Sequence, residues 1–199
     1  MLFRSGCGMP SWTVVGPNSQ LDLPGLTNIT VLYCGSGMNI QALAGGQVLA
    51  TNLASIVGGW TETVQADGTN SLIDFRNLRT VSGAHAVTFV ASNGGTNWVP
   101  LLIGGPNAYV TLNPGATLPF AQIAELGGIT ASGVTVSFPA LTGFDGGSIS
   151  LSGGAVVRLP ALQSYSTGCG MPSWTVVGPN SQLDLPGLTN ITVDRKSVV

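Results

Sequence analysis

One strand-and-corner pattern recurs along this chain at a spacing too short for any single copy to enclose a core. Gln20-Leu-Asp-Leu-Pro-Gly-Leu26, Ser71-Leu-Ile-Asp-Phe-Arg-Asn-Leu78, Val134-Thr-Val-Ser-Phe-Pro-Ala-Leu141 and Ala155-Val-Val-Arg-Leu-Pro-Ala-Leu162 are its clearest copies, with weaker ones around 48–56, 98–103 and 117–126. Two apolar residues stand two apart, as in Leu21/Leu23, Ile73/Phe75, Val136/Phe138 and Val157/Leu159, which puts both on one face of a strand. Asp22, Asp74, Ser137 and Arg158 lie between them on the other face. Pro24, Pro139 and Pro160 then end the strand where a missing N–H does least harm. An anchor follows: Leu26, Leu53, Leu78, Leu102, Ile123, Leu141, Leu162 and Leu188, at gaps of 18 to 27 residues. A further apolar residue three positions on is expected to fill a corner.

Each turn also carries a second alternating strand upstream: Ile40-Gln-Ala42, Val64-Gln-Ala66, Phe89-Val-Ala91, Val110-Thr-Leu112 and Ile149-Ser-Leu151. Glycines (Gly45-Gly46, Gly68, Gly94-Gly95, Gly115, Gly153-Gly154) separate the two strands and supply the backbone for a sharp corner. No apolar stripe at helical spacing is sustained, so helix is not expected beyond a turn or two. A turn of roughly 23 residues cannot bury its own apolar face, whereas stacked turns cover one another. The expected fold is therefore all-β, a parallel β-solenoid of about seven to eight such turns. The alternative is a leucine-rich-repeat-like solenoid, whose period is similar but whose asparagine or cysteine ladder has no counterpart here.

A longer repeat frames the short one. Residues 168–193 repeat residues 6–31 without a substitution, at an offset of 162. The unit is thus expected to recur in tandem in a longer parent. Outside the repeat, Leu2-Phe-Arg-Ser5 and Asp194-Arg-Lys-Ser197 can be encoded by one DNA sequence read from opposite strands, as a sequencing adaptor would be. Residues 1–5 and 194–199 are accordingly read as non-native, and 6–193 as a single solenoid domain. No secretory signal opens the chain; if the protein is exported, its signal is expected outside these residues.

Charged residues make up only 7% of the 199, against about 25% in an average soluble chain. Without the two ends, Arg76, Arg79 and Arg158 face seven acidic residues. That balance excludes a nucleic-acid surface and a charged coiled coil. No apolar run is long enough to insert in a membrane as a helix.

Asn39-Ile-Gln-Ala-Leu-Ala-Gly-Gly-Gln-Val48 and Ser152-Gly-Gly-Ala-Val-Val-Arg-Leu-Pro-Ala-Leu162 resemble the β-strand repeats of large secreted, adhesin-like bacterial proteins. The resemblance spans nearly all of residues 6–193. It implies a structural or adhesive segment of an extracellular or cell-surface protein, without catalysis or cofactor. Neighbouring repeat units and a surface ligand, glycan or protein, would be its partners. A glycan-binding or glycan-processing β-helix and a leucine-rich-repeat-like ligand-binding module are the alternatives.

Candidate sites are few. Cys7 and Cys34 stand 27 apart, one turn, and could form a disulfide between adjacent turns or remain free thiols. Cys169 repeats Cys7, and Lys196 occupies the position of its partner. His85, the single histidine, has no nucleophile motif with which to form a catalytic triad. Glu62, Asp67 and Asp74, with Arg76 and Arg79 close behind, are the densest charged stretch, yet Asp67-Gly-Thr-Asn70 reads as an ordinary turn. No metal-ligand spacing occurs. Trp12, Trp60, Trp98 and Trp174 are read as core or corner packing, with sugar platforms as the alternative use. Thr27 and Thr142 share the slot after the anchor with Ala54, Arg79, Ile103, Ala124 and Gln163, which breaks the threonine ladder of an ice-binding face. Asn28-Ile-Thr30 and Asn190-Ile-Thr192 match the glycosylation sequon.

Overall fold

The computed structural model describes residues 10–31, 37–167 and 171–193, and residues 2–5 as backbone. Among the described residues there is no helix. All pairing between strands is parallel, and the chain winds as a β-solenoid of about 7 turns some 25 residues apart. The turns build three walls, and in two of the turns one wall is reduced to an isolated bridge.

The first wall stacks Ser11–Val15, Asn39–Leu43, Glu62–Asp67, Val87–Ser92, the ends of Gly104–Leu112 and Glu125–Ser132, Ser148–Ser152 and Trp174–Val176. One core-facing column runs its full length: Trp12, Ile40, Val64, Phe89, Val110, Ile129, Ile149 and Trp174. The second wall holds Gln20–Asp22, Gln47–Leu49, Leu72–Asp74 and Thr96–Trp98, and then Thr135–Ser137, Val156–Arg158 and Gln182–Asp184. Between those two groups pairing lapses to a single bridge, Thr96 to Thr117. There Phe120 and Phe138 meet edge to face at 5.0 Å and fill the gap.

A third wall corrects the expected corner. The apolar residue three on from the anchor is the inward member of a separate strand: Asn28–Val31, Ser55–Gly58, Thr80–Gly83 and, past an interruption, Ser164–Ser166 and Asn190–Thr192. Leu2–Ser5 extends this wall below Asn28–Val31, with Phe3 opposite Ile29. At Gly104–Leu112 and Glu125–Ser132 the chain passes from third wall to first within one strand, and the register shifts between Gly105 and Tyr109.

The anchors form the spine of the core. Leu26, Leu53, Leu78, Leu102, Ile123, Leu141 and Leu162 are buried, and Leu188 in the last turn is partly buried against the cluster. Each closes the same tight turn, donating its N–H to the carbonyl three residues back, as Leu53 does to Ala50 and Leu78 to Phe75. Every fully buried leucine contributes about 1.5–3 kcal/mol by leaving water. The corner between first and second walls explains the glycines. In Ala44-Gly-Gly46 and Asn93-Gly-Gly95 the first two residues take positive φ, 50° and 92° in one corner and 52° and 87° in the other. A Cβ on Gly46 or Gly95 would collide with the carbonyl of Val14 or Ala66 in the turn below.

Candidate functional site

Parallel pairing in register turns the outward residues of the first wall into columns. Thr13, Gln41, Gln65, Val90, Thr111, Thr130, Ser150 and Thr175 form one that runs from the first turn to the last. Ser11, Asn39, Thr63, Thr88, Tyr109, Gly128 and Ser148 form a second beside it. Rungs of such a wall lie about 4.8 Å apart. Hydroxyl and amide groups therefore recur along the axis, and neither column contains a charge. Neighbours in the first column bond each other: Thr13 Oγ1 donates to Gln41 Oε1 at 3.1 Å, and Gln41 Nε2 to Gln65 Oε1 at 2.9 Å. These bonds fix Thr13, Gln41 and Gln65 in a row, so that end of the wall presents donors and acceptors with little rotamer freedom left to lose. Sequence reading missed this surface, because column membership follows from register and the gaps between turns are unequal.

The acidic stretch is not one cluster. Glu62 points into the core in a column with Met38 and Val87, and is 3% exposed. Its Oε1 accepts the amides of Gly59 and Trp60 at 3.2 and 3.1 Å, holding the corner between third and first walls. Its Oε2 is buried and has no hydrogen-bond partner among the described residues. Burial pushes its carboxyl above the ordinary 4.5, and the two corner amides oppose that rise. Asp67, at the outer end of the same strand, accepts Ser92 Oγ at 2.6 Å and Asn93 Nδ2 at 2.8 Å, tying one corner to the next. Asp74 lies on the second wall, paired with the guanidinium of Arg76 and accepting the Arg76 amide at 3.1 Å. Arg79 is exposed in the slot after its anchor, where its carbonyl accepts the Ile103 amide at 3.2 Å. These carboxylates serve three separate structural tasks. Among the described residues no group of three or more His, Cys, Asp and Glu could hold a metal.

His85 sits at the corner above Glu62, its ring 5.1 Å from that of Trp60. Trp12 and Trp174 occupy equivalent inward positions at opposite ends; Trp174 packs on Tyr165 at 4.4 Å and donates its Nε1–H to Gly147 O at 3.1 Å. Trp98 differs from these, being 42% exposed on the outer second wall, in register with Asp74. Asn28 accepts Ser55 Oγ at 2.7 Å, whereas its copy Asn190 is exposed on the last turn. Arg158 donates to Asp184 at 2.8 Å across adjacent rungs, beside Ser137, in a shallow groove edged by Pro160 and Pro186. Cys7, Cys34 and Cys169 lie outside the described residues.

Among the buried polar residues not singled out in the sequence, Asn97 is fully enclosed. Asn97 takes the core position opposite Ile73 and reaches across to donate its Nδ2–H to Val90 O at 2.9 Å, linking second wall to first. No protein-family model, curated protein or solved structure matches the chain.

Proposed function

We propose that this solenoid is a structural and adhesive segment of an extracellular or cell-surface bacterial protein, a stiff spacer whose uncharged outward columns on the first wall are its contact surface. The observation that carries this reading is the outward column from Thr13 to Thr175, held in register over every turn and bonded within itself at one end. A neutral glycan suits such a wall: repeated hydroxyl and amide groups match sugar hydroxyls, and the exposed indole of Trp98 on the adjoining wall offers a stacking face. The resemblance to secreted bacterial repeats supports the location. Reading the segment as non-catalytic rests on the separation of Glu62, Asp67 and Asp74 into distinct structural roles.

Binding of the purified chain to arrayed polysaccharides and matrix proteins tests the reading. Thr111→Glu and Ser150→Glu, two rungs apart, together place two charges on the column while leaving the core untouched. Their effect should be at least a tenfold loss of retention on the bound ligand, with unchanged thermal unfolding. Retention that survives the double substitution, or hydrolysis of any arrayed glycan, overturns the proposal.

A further inference from the structure

The same 26 residues stand at both ends of this molecule, the first copy with a rung above it and the last with a rung below it, so the structure displays both interfaces of one rung. In the first copy the rung above is present. Ile29 lies opposite Phe3 below and Ile56 above, and is 1% exposed. In the last copy Ile191 lies opposite Tyr165 below and has no described rung above; it is 57% exposed. Val31 and Val193 differ likewise, 3% against 63%. Leu21 and Leu183 are each half-buried for opposite reasons, the first having no described strand below it, the second none above.

The backbone tells the same story. In the first copy Pro10, Ser19 and Thr27 accept the amides of Asn39, Gln47 and Ala54, while Gly16 and Leu23 donate to Leu43 and Leu49, at 2.7 to 3.1 Å. The corresponding groups in the last copy, Pro172, Ser181, Thr189, Gly178 and Leu185, have no upward partner among the described residues. The last copy's lower edge is meanwhile fully engaged: Gln182 donates to Ala155 at 2.8 Å, Thr189 to Gln163 at 2.9 Å and Val177 to Leu151 at 2.9 Å.

We propose that the open edge formed by residues 171–193 is a docking surface for one occupant, a further solenoid turn with the sequence of residues 39–58. The partner is identified by an interface already present in the molecule, because an identical rung seats that turn through five backbone bonds and the Ile29–Ile56 contact. The 162-residue unit then closes on itself in register, and a rod can be lengthened unit by unit with no new kind of contact. This holds whether or not the walls bind a ligand.

The test is a chain in which the sequence of residues 32–58 follows Val193 in place of residues 194–199, compared with one carrying a scrambled version of that segment. Amide hydrogen exchange read by NMR should slow at least tenfold at Gly178 and Leu185 in the first chain and not in the second. Ile191→Asp should leave the chain as it stands nearly unaffected and abolish the added protection in the extended one. Equal exchange in the two extended chains overturns the proposal. So does an extended chain that no longer folds, since a turn that fits this edge cannot unfold the stack beneath it. Self-association of the unextended chain that matches the protection given by extension would also overturn it, by making a second copy the occupant.

Discussion

At the scale of single residues, two positions stand out because their chemistry disagrees with their surroundings. Glu62 is a carboxyl in an apolar column, its pKa raised above 4.5 chiefly by burial. The folded chain therefore keeps a proton that the unfolded chain has already lost. Stability from this group is fully present below about pH 4.5 and declines as pH rises through the raised folded value. Chemical denaturation between pH 4 and pH 8, an interval of about four units around the ordinary carboxyl range, should show that decline in the native chain. Glu62→Gln should flatten it while preserving the acceptor for the Gly59 and Trp60 amides. Ala44 is the second case. It holds φ of 50° at the position where the next corner but one has Asn93 at 52°. An alanine in this left-handed region costs about 1–2 kcal/mol, and asparagine less. Ala44→Asn should raise the unfolding free energy by about 0.5–1 kcal/mol, measured by urea titration.

Corners, more than strands, set the shape of each element. Gly95 has the Ala66 carbonyl where a Cβ would go, whereas Gly25 has nothing within 4 Å. Gly95→Ala should destabilise by about 1–3 kcal/mol, as overpacking does, and Gly25→Ala should be nearly neutral; paired thermal melts separate the two. Much of this element grammar was legible in the sequence. Leu21/Leu23 and Val157/Leu159 announced one strand, Val64 and Ala66 the other, and the anchors their shared turn. The third wall was not legible for a physical reason. Thr80–Gly83 and Ser164–Ser166 each bring a single buried side chain, Val81 or Tyr165, to the core, so the alternation of Ile29 and Val31 in Asn28–Val31 is not repeated in later turns to mark a recurring strand. Neither was the column from Thr13 to Thr175. Its members are brought together by hydrogen-bond register across unequal gaps, which no local pattern in Gln41 or Thr130 reveals. Glu62 was visible as a charge, but its inward direction depends on pairing with Val87.

Across the whole molecule, hydrogen bonds between turns lie along the axis of the rod, and each turn is held only by those directly above and below it. Tension applied along that axis loads the turns one after another instead of all together. The chain should peel from its open end, the last turn first, because Ile191 and Val193 give it the least buried contact. Each turn of about 25 residues would release roughly 80 Å of slack at ~3.3 Å per residue. Single-molecule pulling should accordingly record a staircase of small, nearly equal extensions, and one large all-or-none rupture would contradict it. A rod built this way would lengthen under a sudden tug turn by turn, and the coil that remains would be the template for rewinding.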